Sequence, residues 1–206
     1  MTPSPVAASG AAPVGPGDLG RRISIVGTSG VGKSTVAAQL ADRLGVDVVE
    51  LDALAHGPGW VPTPTPTFRA SVLEALEAAE ASSGGWVVPG NFANVADLVA
   101  RRADTIVWLD LPLPLTLARL VRRSVGRAVR RDEVGGGNRE RLRDLVSRDP
   151  ERNVVRWAWQ HHGAYRERFE RAARPGGLWD GARSLRLRTR REVAELVSSA
   201  GAGPGE

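Results

Sequence analysis

Apolar and polar positions along the chain keep switching between two rhythms. Ile23-Ser24-Ile25-Val26 is a short β-branched run closed by Gly27, the pattern of a buried strand. Over 32–44 the spacing becomes helical, with Val36, Leu40 and Leu44 on one face and Gly45 as the stop. The alternation then repeats. Residues 46–51 predict a second strand, and a Gly- and Pro-rich loop follows over 57–66. A helix is predicted over 68–81, a third strand over 86–88 broken by Pro89-Gly90, a short helix over 95–102 and a fourth strand over 105–109.

The second half is more polar. A long amphipathic helix is predicted over 114–131, with an apolar stripe at Leu117, Val121, Val125 and Ala128. Its other stripe is cationic: Arg119, Arg123, Arg127 and Arg130. The polar stretch 132–150, with Gly135-Gly136-Gly137, reads as a mobile segment. A helix over 151–173 carries Trp157 and Trp159, which aromatic burial assigns to packing. A fifth strand at 184–187 and a helix over 191–198 close the chain. Strands alternating with helices predict an α/β protein, a parallel sheet covered by helices on both faces in three layers.

Composition narrows the classes. A chain of 206 residues suits one domain. The expected domain covers 21–199, with disordered tails at 1–20 and 200–206. No apolar run approaches the ~20 residues of a membrane span, and the first twenty residues lack the pattern of a signal peptide. There is no cysteine, hence no disulfide, thiolate nucleophile or Cys-based zinc site, and a cytoplasmic location fits. Lys33 is the one lysine among 28 basic residues, and the formal net charge of +5 suits a polyanionic partner, from a nucleotide to a nucleic acid.

One motif carries chemistry outright. Gly27-Thr28-Ser29-Gly30-Val31-Gly32-Lys33-Ser34, followed by Thr35, matches G-x-x-x-x-G-K-[ST] between a predicted strand and a predicted helix. Glycines let the backbone wrap so that successive N–H groups point at phosphate oxygens, and the helix adds its positive end. The spacing assigns Lys33 to the β- and γ-phosphates of ATP and the Ser34 hydroxyl to Mg2+. Asp52 falls just past the second predicted strand, where ligands bind in open α/β sheets, and Glu50 shares its face if that strand continues. Either carboxylate could organise magnesium or take the acceptor's proton. Asp110, ending an apolar strand, is a further magnesium candidate.

Several segments then carry a resemblance. Glu50-Leu51-Asp52-Ala53-Leu54, Gly59-Trp60-Val61-Pro62-Thr63-Pro64, Gly90-Asn91-Phe92 and the run Ala103-Asp104-Thr105-Ile106-Val107-Trp108-Leu109-Asp110-Leu111-Pro112 occur in order. Ser147-Arg148-Asp149-Pro150-Glu151-Arg152 follows, with Trp157-Ala158-Trp159 after it. The chain resembles the bacterial adenylate-kinase-related P-loop kinases often labelled DNA topology modulation proteins, in the nucleoside monophosphate kinase superfamily. The resemblance implies a five-stranded kinase fold with a lid-like segment near 127–150. It also implies Mg-ATP-dependent phosphoryl transfer, with a nucleoside monophosphate as the leading acceptor. Adenine is expected near Thr189-Arg190, and Gly90 and Asn91 at the acceptor, with Asp52. His56, Trp60 and Arg69 form an expected acceptor clamp. Arg119, Arg123 and Arg127, then Arg139 and Arg141, are expected to close over the phosphates.

Two positions depart from that pattern: Pro89 stands where relatives carry Asp, and Gly135-Gly136-Gly137 where they have fewer glycines. Two alternatives stay open, a nucleotide-dependent nucleic-acid-binding regulator and a kinase that binds ATP without transfer. No helix-turn-helix, zinc-finger or RNA-binding signature supports the regulator. His161-His162 completes no zinc pattern.

Overall fold

The computed structural model describes residues 19–57, 61–130, 133–134, 138–139 and 154–201. The strands are β1 (Arg22–Gly27), β2 (Asp47–Val48), β3 (Trp86–Pro89), β4 (Thr105–Leu109), β5 (Glu133–Val134), β6 (Asn138–Arg139) and β7 (Arg183–Leu187). The helices are α1 (Lys33–Leu44), α2 (Leu51–Ala55), α3 (Thr65–Ser83), α4 (Ala96–Arg102), α5 (Leu113–Arg130), α6 (Val154–Ala172) and α7 (Arg190–Ser199). A 3-10 turn, Ala93–Val95, leads into α4.

Five strands form one parallel sheet in the order β2-β3-β1-β4-β7. The inner strands read as apolar runs because both of their faces are covered. Alternation then divides them between two cores. Val26, Val88, Ile106 and Trp108 face α3, α4 and α6. Ile23, Ile25, Val87, Val107 and Leu109 face α1 and α7. The predicted α/β class and three layers are therefore those of the molecule. Among the described residues no helix is long and apolar enough to cross a membrane.

The second strand is shorter than its apolar run predicts. Residues 46–51 supply only Asp47–Val48 to the sheet, plus a bond from the Val49 amide to the Val87 carbonyl at 3.0 Å. Leu51-Asp52-Ala53-Leu54-Ala55 then turns helical, and Leu51 and Ala55, four apart, are buried. A short apolar run fits either state, and burial on a helical face decides it here. Asp52 accordingly sits in a helical first turn, and the shared strand face expected for Glu50 and Asp52 does not exist.

Leu19 and Ala200, both assigned to tails, are buried in the α1/α7 core. Leu19 is tied in by the Thr105 hydroxyl, which donates to its carbonyl. Within the predicted mobile segment, Glu133–Val134 and Asn138–Arg139 pair as an antiparallel hairpin. Trp159 is 61% exposed, which corrects its assignment to packing.

Candidate functional site

The phosphate-loop motif lies at the carboxyl end of β1, between neighbours β3 and β4. Its winding depends on glycine. Gly30 and Gly32 have φ of 85° and 107°, which residues with a Cβ rarely adopt. A Cβ at Gly30 would also stand 2.8 Å from Leu120 Cβ and 3.0 Å from the Thr116 carbonyl, so α5 packs directly on the loop. Gly32 then caps α1 with no side-chain hydrogen bond, leaving the first-turn N–H groups of the helix for an anion. This geometry fits a bound nucleotide's phosphates.

Three side chains hold the loop in that shape. Asn91, just past β3, grips Gly27 from both sides: its Oδ1 accepts from the Gly27 amide at 3.0 Å and its Nδ2 donates to the Gly27 carbonyl at 2.6 Å. Lys33 Nζ donates to the carbonyls of Gly27 at 2.7 Å and Thr28 at 3.3 Å, so its ammonium is kept inside the loop. Arg119 of α5 donates to the Val31 carbonyl at 3.1 Å. Burial lowers the Arg119 pKa, and the positive charges of Arg190 and Arg122 lower it further. Arg119, Arg122 and Arg190 thus assemble like charge beside the loop, an arrangement that a polyphosphate stabilises.

One contact was invisible to sequence reasoning. Thr28 Oγ1 and His162 Nδ1 of α6 lie 3.2 Å apart, in hydrogen-bond contact across 134 positions of the chain. The histidine pair draws attention only as a failed zinc motif, and no periodicity announces a partner in the loop. Arg122 was likewise missed because it lies off the arginine stripe.

The carboxylates divide by what they touch. Asp110, the Walker-type candidate, is committed elsewhere: Arg186 donates to it through Nε at 2.9 Å and Nη2 at 2.7 Å, and Arg166 approaches to 3.3 Å. Its side chain is 5% exposed, and the Arg186 guanidinium also lies 3.9 Å from the centre of the Trp108 ring. Asp52 is exposed on α2. Glu50 is also exposed, yet the protein crowding its carboxyl and the charge of Asp52 both raise its pKa. Among the described residues no group of three or more His, Cys, Asp or Glu could hold a metal ion by itself. Ser34, exposed in the first turn of α1, and Asp52, exposed on α2, carry hard oxygen atoms of the kind magnesium takes alongside phosphate oxygens and water.

Pro89 occupies the last position of β3, buried and in register with Ile25, and the chain then turns at Gly90. Arg69, expected at the acceptor, instead forms a two-pronged pair with Asp97 at 2.7 and 2.9 Å. His56 packs near Phe92, with ring centres 6.5 Å apart. Arg190 opens α7, after the capping box formed by Thr189 and Glu192. Trp60, Arg141 and the side chains of Arg123, Arg127, Arg130, Arg139 and Trp157 lie outside the described residues.

No family model matches the chain. The shikimate kinase of Corynebacterium glutamicum is 32% identical over 101 residues, spanning 44% of this chain and 59% of that protein. The chain thus aligns with well under two thirds of that relative's length. A sugar kinase from Janibacter sp. superposes with a TM-score of 0.50 at 19% identity, covering 87% of this chain and 91% of the other. The shikimate kinase of Acinetobacter baumannii, in complex with shikimate, gives a TM-score of 0.48 at 18% identity, with 86% and 89% covered. With its five parallel strands, its helices on both faces and the phosphate loop leaving the central strand, the chain has the fold of the P-loop kinases.

Proposed function

We propose that this protein is a Mg-ATP-dependent small-molecule kinase that moves the γ-phosphoryl group to an acceptor hydroxyl. The observation that carries this reading is the phosphate loop itself, wound by Gly30 and Gly32, gripped through Gly27 by Asn91, and touched by Arg119, whose guanidinium feels the charges of Arg122 and Arg190. Phosphoryl transfer asks a protein mainly for positioning and charge stabilisation, and a preset cationic loop supplies both. Lys33 neutralises charge on the transferring group. Arg119 and Arg190 draw in the polyphosphate. Ser34 and Asp52 would hold magnesium or its waters, and the metal would supply charge neutralisation at the phosphates. Asp52, exposed near the end of the sheet, also receives the acceptor's proton.

The acceptor is the finer question. The sequence resemblance implies a nucleoside monophosphate, whereas the similar proteins are named for shikimate and for a sugar, both hydroxylated molecules. These names favour an alcohol acceptor. Release of ADP from Mg-ATP, measured with alcohols, nucleosides and nucleoside monophosphates in turn, tests the proposal. Release that rises with one acceptor class supports it. Release indifferent to every acceptor refutes it.

A further inference from the structure

Next to the phosphate loop, a cleft partly open to solvent enters the sheet face between α4 and α6. Its walls are apolar, with Val26 and Ile106 from the sheet, Val99 from α4, and aromatic surface from Phe92, Phe169 and Trp179. Three polar residues interrupt them: Ser24, Asn91 and Arg168.

Each of the three has a distinct position. Ser24 lies in the middle of central strand β1, between Ile23 and Ile25, and is 5% exposed. Its hydroxyl forms no hydrogen bond among the described residues. Because Ser24 lines the cleft, its hydroxyl is available to bond a polar edge of whatever enters. Arg168, half-buried on α6, sets a positive charge on the wall. Asn91 joins cleft to loop, because it lines the cleft and its amide grips Gly27.

We propose that this cleft seats the acceptor, and that the acceptor is a small alcohol on an apolar ring bearing one anionic group. The inference rests on the kinase reading and narrows its substrate class. Arg168 pairs the anion, Ser24 bonds a polar edge of the ring, and the hydroxyl lies at the Asn91 end, towards the loop. A polyol fits poorly, since several of its hydroxyls would lie against Val26, Val99, Ile106 and the aromatic rings without partners. The ribose and charge of a nucleoside monophosphate meet the same difficulty. In the reaction the acceptor oxygen forms the new bond to the γ-phosphorus as the bond to the bridging oxygen breaks. ADP leaves with that electron pair, and the hydroxyl proton passes to Asp52.

The test uses the full chain and four probes: 3-(hydroxymethyl)benzoate, benzyl alcohol, gluconate and AMP. Binding is followed through the Trp179 indole resonance, and turnover through ADP release from Mg-ATP. We expect 3-(hydroxymethyl)benzoate to bind best, to move the Trp179 signal and to stimulate ADP release. Arg168→Gln should weaken it at least tenfold while leaving benzyl alcohol unchanged. Ser24→Val, which fills the floor, should weaken both, with Ser24→Ala as the milder variant if valine disturbs folding. Tighter binding of gluconate or AMP, or ring-acid affinity indifferent to Arg168→Gln, overturns the inference. ADP release stimulated by gluconate or AMP alone keeps the kinase reading and overturns this acceptor class. If no probe stimulates release, yet the ring acid binds in an Arg168-dependent way, the cleft is a site but not the acceptor's. If no acceptor of any class stimulates release, the kinase reading itself falls.

Discussion

The side-chain amide of Asn91 satisfies both backbone polar groups of Gly27, at 3.0 and 2.6 Å, and so fixes the first residue of the phosphate loop from the neighbouring strand. The resemblance places Asn91 at the acceptor; its hydrogen bonds also serve the loop. Asn91→Ala should therefore weaken ATP binding roughly tenfold and cost about 1–2 kcal/mol of stability, since it leaves a buried amide unpaired. ATP calorimetry and urea unfolding read both effects. A variant that raises only the acceptor KM would show that the grip on Gly27 carries no weight in ATP binding.

His162 and Thr28 form the other long-range tie to the loop. His162→Ala and Thr28→Val should each weaken ATP binding several-fold, and the double variant should be little worse than either single one. His162→Asn, which keeps a polar atom near the Nδ1 position, should recover part of the loss. Additive effects in the double-mutant cycle would show that the contact carries no coupling.

Much of this was legible in the sequence, for identifiable reasons. The β1 run, the glycine spacing and the start of α1 are local features, and local chemistry fixes them. The second strand failed because a short apolar run serves an edge strand or a helical turn equally well, and only the burial of Leu51 and Ala55 chooses. The long-range partners of Asn91, His162 and Asp110 escaped the sequence for another reason. They lie 64, 134 and 76 positions away, and nothing in the neighbourhoods of the three residues specifies those distances.

Asp110 offers a direct contrast between structural and metal roles. With Arg186 and Arg166 on its nearly buried carboxylate, Asp110→Asn should destabilise the fold by about 2–3 kcal/mol, somewhat less than for a fully buried pair because the arginines keep contact with water. The magnesium dependence of turnover should stay unchanged. A rise of tenfold or more in the magnesium needed for half-maximal rate would instead make Asp110 a metal ligand.

Asp97 should contribute to the acid limb of stability. Hydrogen bonds from Arg69 are the largest influence and lower its pKa to about 2. The folded state therefore binds this proton less readily than the unfolded chain, so the contribution is complete above about pH 4 and disappears as pH falls through 2. Both side chains are well exposed, so added salt should shrink the effect. Asp97→Asn should flatten the stability curve between pH 4 and 2. An unchanged acid limb would show that the pair has no weight.

Phosphorus NMR of the chain with Mg-ATP and an acceptor alcohol tests the kinase reading most directly, with Lys33→Ala as the paired sample. The Lys33 ammonium sits within the loop, on the Gly27 and Thr28 carbonyls, and its removal should leave the sheet folded. The expected result is a new phosphate-ester signal that grows as ATP becomes ADP, slowed at least roughly 100-fold in the variant. Equal formation of the ester by a folded Lys33→Ala protein, or bound ATP with no ester from any acceptor, would contradict the proposed function.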